Sequence, residues 1–105
     1  MATYKELKDK VIEIIDDFAE SDNVKEGYGK KDSGYNASTK LEDIGITQPV
    51  LIVMPKRFNK VMRELVGSGW RVVGPIDMGS LNTIADMIKL ACGQSGIWLP
   101  KGEPE

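Results

Sequence analysis

Several groups of side chains in this sequence have the chemistry for binding or catalysis, and what accompanies each of them limits what it can do. Lys56, Arg57, Lys60 and Arg63 form a basic cluster, with Glu64 the only acid beside it. Steps of four and three put Lys56, Lys60 and Arg63 on one face of a helix, suited to an acidic protein surface, to a phosphate backbone, or to plain solvation. Asp16, Asp17 and Glu20 bring carboxylates together, but on a solvated helix face they read as surface charge rather than an acid–base pair. Cys92 is the only thiol and sits at the end of an apolar stripe, where burial makes a cysteine inert. Gly27-Tyr28-Gly29-Lys30-Lys31 has a phosphate loop's residue types without its spacing or a following Ser/Thr helix start. The sequence holds no histidine. The commonest general base and metal ligand is therefore missing, and the expectation is a non-enzyme with no catalytic residue and no metal site.

The elements that position these groups belong to one small domain. With 105 residues, 41% hydrophobic and 29% charged, the chain suits a single packed core. The expected domain covers residues 1–100, with 101–105 as a frayed tail. The longest apolar run, Val50 to Met54, falls far short of the ~20 residues of a membrane span. Charges occur throughout the first twenty residues, unlike a signal peptide, and a lone cysteine suits a reducing compartment, so a cytoplasmic protein is expected. The formal net charge of −2 hides a polarity: residues 1–48 hold eleven acids and seven bases, the remainder seven bases and five acids. Either part can serve as a docking face.

From Tyr4 to Glu20, apolar Tyr4, Leu7, Val11, Ile14, Ile15 and Phe18 recur at helical steps, and Thr3 with Glu6 forms a capping box. Residues 21–40 are rich in Gly, Ser, Asn and Lys, with Val24 as the one aliphatic anchor and Tyr28 and Tyr35 each after a glycine, and read as a long loop. Leu41, Ile44 and Ile46 are apolar anchors, and Gly45 permits a positive φ. Thr47 and Pro49 then suit a helix start. Phe58, Val61, Met62, Leu65 and Val66 predict a helix over 56–66. Val50–Met54 is either a buried strand or a fully buried helical segment kinked at Pro55. Trp70–Val73 is β-prone. Leu81, Ile84, Ala85, Ile88 and Ala91 predict a last helix, capped by Ser80 or Asn82 and stopped at Gly93. Trp98 is expected to fold back onto the core, because an exposed indole is costly.

Three segments in order resemble the acyl carrier protein family. They are the amphipathic opening helix Tyr-Lys-Glu-Leu-Lys-Asp-Lys-Val-Ile-Glu-Ile-Ile at 4–15, Thr39-Lys40-Leu41-Glu42-Asp43-Ile44-Gly45-Ile46 leading to a second helix, and Leu81-Asn82-Thr83-Ile84-Ala85-Asp86-Met87-Ile88 starting the last. The resemblance implies an all-α, four-helix carrier-like bundle with a long loop after its first helix. It implies a setting in fatty acid or polyketide metabolism. In that family a serine in a Gly-x-Asp-Ser-Leu motif opens the second helix and takes a phosphopantetheine arm from coenzyme A. The matching residues here are Gly45-Ile46-Thr47-Gln48-Pro49, with Gln48 at the serine position. An amide nitrogen, its lone pair delocalised, is no nucleophile for that transfer.

A second match, Asp77-Met78-Gly79-Ser80-Leu81, offers Ser80 as the attachment point, with the aspartate and glycine transposed. The family's second helix is acidic, whereas the corresponding stretch here is basic, which implies a partner with an acidic docking surface. The leading expectation is a carrier-like domain without the arm at its usual position, acting through protein contacts at Lys56, Arg57, Lys60 and Arg63. No cofactor is expected unless Ser80 carries 4'-phosphopantetheine. The alternatives are a true carrier using Ser80 and a nucleic-acid-binding module using the basic helix. For the fold, the alternative is a small α/β unit in which 50–54, 70–73 and 96–99 form a three-stranded parallel sheet around helices 56–66 and 81–92.

Overall fold

The computed structural model describes residues 2–19 and 36–104 and contains no strand among them. Five helices follow one another: α1 (Tyr4–Phe18), α2 (Gln48–Val53), α3 (Pro55–Val66), α4 (Pro75–Gly79) and α5 (Ile84–Ser95), with short 3-10 turns at Leu41–Ile44 and Gly67–Gly69. The fold class is all-α, and the three-stranded alternative is overturned. Val24, Tyr28, Tyr35, Glu20 and the Gly27–Lys31 segment lie outside the described residues.

Helix α1 starts as its sequence predicts, with Thr3 Oγ1 accepting from the Glu6 N–H and Glu6 Oε1 accepting from the Thr3 N–H. It ends at Phe18 rather than Glu20, because Ala19 turns to an extended conformation. Its stripe Leu7, Val11, Ile14 and Ile15 is buried and packs against α3 and α5. The core continues through Phe58, Met62, Ile84, Met87 and Ile88. No polar or charged residue is buried among those described.

The run Val50–Met54 is helical. Met54 keeps right-handed helical dihedrals, its N–H donates to the Val50 carbonyl at 3.0 Å, and its carbonyl accepts from the Phe58 N–H at 2.9 Å. The helical path therefore crosses the α2–α3 junction. What is lost there is the bond that Pro55, without an N–H, cannot donate to the Leu51 carbonyl. The segment is not fully buried either: Leu51 and Met54 enter the core, while Ile52 and Val53 face outward. A five-residue apolar run longer than one helical turn must put some members on the outer face.

Residues 70–74 are extended, as β-prone residues prefer, yet their backbone pairs with side chains instead of a strand. Asn59 Oδ1 accepts from the Val73 N–H at 2.8 Å and from the Trp70 indole N–H at 3.0 Å, and Asn59 Nδ2 donates to the Val73 carbonyl at 2.9 Å. From the other side the Arg71 N–H donates to the Gln94 carbonyl at 2.9 Å. Gln94 Nε2 in turn donates to the Arg71 and Val72 carbonyls. The side-chain amides of Asn59 on α3 and Gln94 on α5, with the Gln94 main-chain carbonyl, thus meet hydrogen-bonding needs that a neighbouring strand would have met. Trp70 is buried, its ring 5.6 Å from that of Phe58.

Three end signals differ from the sequence reading. Thr83, not Ser80 or Asn82, caps α5 in a reciprocal box with Asp86. Ser80 follows the end of α4, and its Oγ donates to the Asp77 carbonyl at 2.9 Å. Gly93 stays helical, and the left-handed stop falls at Gly96 (φ 76°), because Gln94 in the last turn is held by residues 71 and 72. Trp98 remains 85% exposed, so the expected return to the core does not occur. Residues 97–100 form no strand. At the expected frayed end, Lys8 Nζ lies 3.1 Å from Glu103 Oε1, which ties residue 103 to α1.

Candidate functional site

The approach to α2 is built by a short 3-10 turn whose Leu41 and Ile44 are buried, together with Ile46. Gly45 adopts φ 86°, the left-handed conformation that favours glycine. The Leu41 N–H donates to the Asn82 carbonyl at 2.9 Å, and the Ile84 N–H donates to the Thr39 carbonyl at 3.1 Å, so this turn is fastened to the start of α5. Thr47 occupies the N-cap of α2 without a side-chain hydrogen bond, and Gln48 is the first helical residue, exposed.

The two alternative attachment positions converge. Gln48 of α2 and Ser80 after α4 line one groove of about 400 Å³ together with Ile52, Pro75, Ile76 and Gly79. Gly79 approaches the Gln48 amide closely enough that a Cβ at 79 would lie 3.7 Å from Nε2. Ile76, 88% exposed, and Ile52, 50% exposed, form an apolar rim. Sequence reasoning missed Ile76, since an isolated isoleucine after Gly74-Pro75 carries no periodicity, and it missed Asn59 and Gln94, whose partners are distant in sequence.

The basic residues divide. Lys56, Lys60 and Arg63 are exposed on α3 and line a shallow hollow of about 410 Å³ with Asn59 and Glu64. Arg57 is turned away to Asp17 on α1, with Nη2 2.6 Å from Oδ2. This ion pair also accounts for one of the clustered acids. The Asp16 carboxyl is pushed above its ordinary value, first by burial and then by the neighbouring Asp17 charge.

The Ser80 hydroxyl donates to a backbone carbonyl rather than to a side-chain base. Cys92 is buried, and burial pushes its thiol up, which disfavours the reactive thiolate. Among the described residues no group of three His, Cys, Asp or Glu side chains could hold a metal ion. Nor is any described helix long and apolar enough to cross a membrane. A separate hollow of about 810 Å³, between the start of α1, the end of α3 and Trp98, shares no residue with the groove. The groove is thus rimmed by apolar side chains, and the hollow on α3 is lined by three cations and one acid. No protein-family model matches the chain, and no curated protein or solved structure matches it.

Proposed function

We propose that this chain is an acyl-carrier-like helical domain that lacks the phosphopantetheine arm at the usual position and acts through protein–protein contacts. The observation that carries the reading is Gln48. It opens α2 directly after the Gly45 turn and presents an exposed amide where the resemblance expects the attachment serine. Without a usable lone pair, that side chain cannot attack the pyrophosphate of coenzyme A to take the phosphopantetheine phosphate and release adenosine 3',5'-bisphosphate. Support for the carrier-like, four-helix arrangement comes from the order of the helices: an opening α1, a second helical stretch α2–α3 entered through Gly45, a short α4 and a closing α5.

Around Gln48 the surface is suited to docking. Ile52 and Ile76 leave apolar area in water, and Lys56, Lys60 and Arg63 lie along the continuing helix, a combination suited to an acidic protein surface. Arg57 is paired with Asp17 of α1, which leaves Lys56, Lys60 and Arg63 as the cations of this face. The domain is assigned no reaction, no metal and no cofactor, and its proposed compartment is the cytosol, where Cys92 stays reduced.

One observation favours a second reading, a true carrier that uses Ser80: its hydroxyl lies in the same groove as Gln48. Against this, Ser80 follows a five-residue helix at its C-terminal end rather than opening a helix, and its hydroxyl donates to the Asp77 carbonyl. Incubation with coenzyme A and a broad phosphopantetheinyl transferase, followed by intact-mass measurement, separates the two. The expected result is an unchanged mass. A gain of ~340 Da, the arm added at a hydroxyl, would overturn the reading, and its loss in Ser80→Ala would assign the arm to Ser80.

A further inference from the structure

The geometry points to a specific occupant for this face: an acidic, amphipathic helix of a partner protein, laid along α2–α3 with one apolar side chain in the groove between α2 and α4. The inference rests on the protein-contact reading above and adds the chemistry of the partner. Ile52, Lys56, Lys60 and Arg63 follow one another in steps of four, four and three on a helical path that continues across Pro55. At 1.5 Å per residue they make a ridge of about 16 Å. The two ends of that ridge differ in kind. At one end Ile52 adjoins Pro75 and Ile76 in the groove of about 400 Å³. Toward the other, Lys56, Lys60 and Arg63 make no salt bridge among the described residues, and Glu64 is the only acid lining their hollow.

A partner helix repeats the same rise, so an apolar residue followed by acids four, eight and eleven positions later meets the ridge in register. An extended peptide gains its affinity by adding to an exposed sheet edge, and no strand exists among the described residues to provide one. A phosphate backbone would neutralise the cations and leave Ile52 and Ile76 in water. A neutral apolar ligand would do the reverse.

The test is an amide NMR titration of the full isotope-labelled chain with a helix-forming peptide carrying Leu and Glu in that register, beside a counterpart with Lys in place of Glu. The expected result is shifts concentrated in residues 48–63 and 75–80, with affinity falling about tenfold or more between about 20 mM and 300 mM salt. The triple variant K56E/K60E/R63E should bind the Glu peptide about tenfold or more weakly and gain affinity for the Lys peptide. The double variant I52S/I76S should bind weakly while keeping the salt dependence. All five substituted side chains are exposed, and an otherwise unchanged amide spectrum verifies each fold.

No shift at about 1 mM peptide in low salt overturns the proposal. So does equal binding of the Lys peptide, binding of duplex DNA with the peptide inert, or self-association of the chain through these residues. The ~340 Da mass gain is read in a separate experiment and bears on the arm, so failure of the armless-carrier reading and failure of this partner assignment are distinguishable.

Discussion

Replacing Asn59 by alanine removes three hydrogen bonds at once, those to the Trp70 indole N–H and to the N–H and carbonyl of Val73. Each neutral bond contributes about 1 kcal/mol net, so the loss is about 3 kcal/mol. Trp70 and Val73 are both buried. Their donors are therefore left with restricted access to water, which moves the cost toward the upper side of that figure. For a domain of this size such a loss lowers the melting temperature by about 15 °C. Urea unfolding provides the free energy, and a Trp98→Phe background makes the emission report Trp70 alone, since Trp98 is the exposed indole. Lys60→Ala, one residue further along α3 and exposed, serves as the control and should stay within about 0.5 kcal/mol. A loss below about 1 kcal/mol for Asn59→Ala, with Trp70 emission unchanged, would refute the claim that a side-chain amide replaces a strand partner for residues 70–74. Because that segment leads directly into α4, the same variant should also disturb amide resonances of Ile76 and Ser80 in the groove.

Two further outcomes test the remaining assignments. Thr83→Ala should cost about 1 kcal/mol by removing the cap of α5, whereas Ser80→Ala should stay within about 0.5 kcal/mol, and urea midpoints that reverse this order would sink the capping assignment. Asp16 has a folded-state carboxyl above its ordinary value of 3.8, through burial first and the Asp17 charge second. Below that value the group is protonated in both states and costs nothing. As pH climbs, the unfolded chain loses its proton first, so stability should fall through the window between the ordinary and the raised value. Asp16→Asn should flatten that limb of the stability profile, and an unchanged slope would contradict the assignment.

Local signals were enough for α1 and for the turn that leads into α2, though not for the local Thr83–Asp86 cap of α5. The capping box at Thr3 and Glu6, the buried stripe of α1, the anchors Leu41, Ile44 and Ile46, and the left-handed Gly45 all involve residues within a few positions of one another. The candidate site was legible in its parts: the basic face was picked out by residue type and spacing, Gln48 and Ser80 by the resemblance to the carrier motif. That Gln48 and Ser80 share a groove was not, because α2 and α4 meet only through tertiary packing. Nor was the diversion of Arg57 to Asp17, forty residues away along the chain.

The helical character of Val50–Met54 and the strandless state of 70–74 show where sequence reasoning ends. A short apolar run satisfies helix and strand patterns equally, and only the packing of Leu51 and Met54 with Ile52 and Val53 turned outward selects the helix. For 70–74, local propensity correctly favoured an extended chain. Whether an extended chain becomes a strand depends on what its backbone groups find to bond with, and here Asn59 and Gln94 reached them first. Residue type and short-range spacing thus determined that α1, α3 and α5 coil, where α1 begins and which side chains carry charge. The neighbours of each exposed N–H, carbonyl and guanidinium were decided by the tertiary structure, because those partners are brought close only once the helices pack.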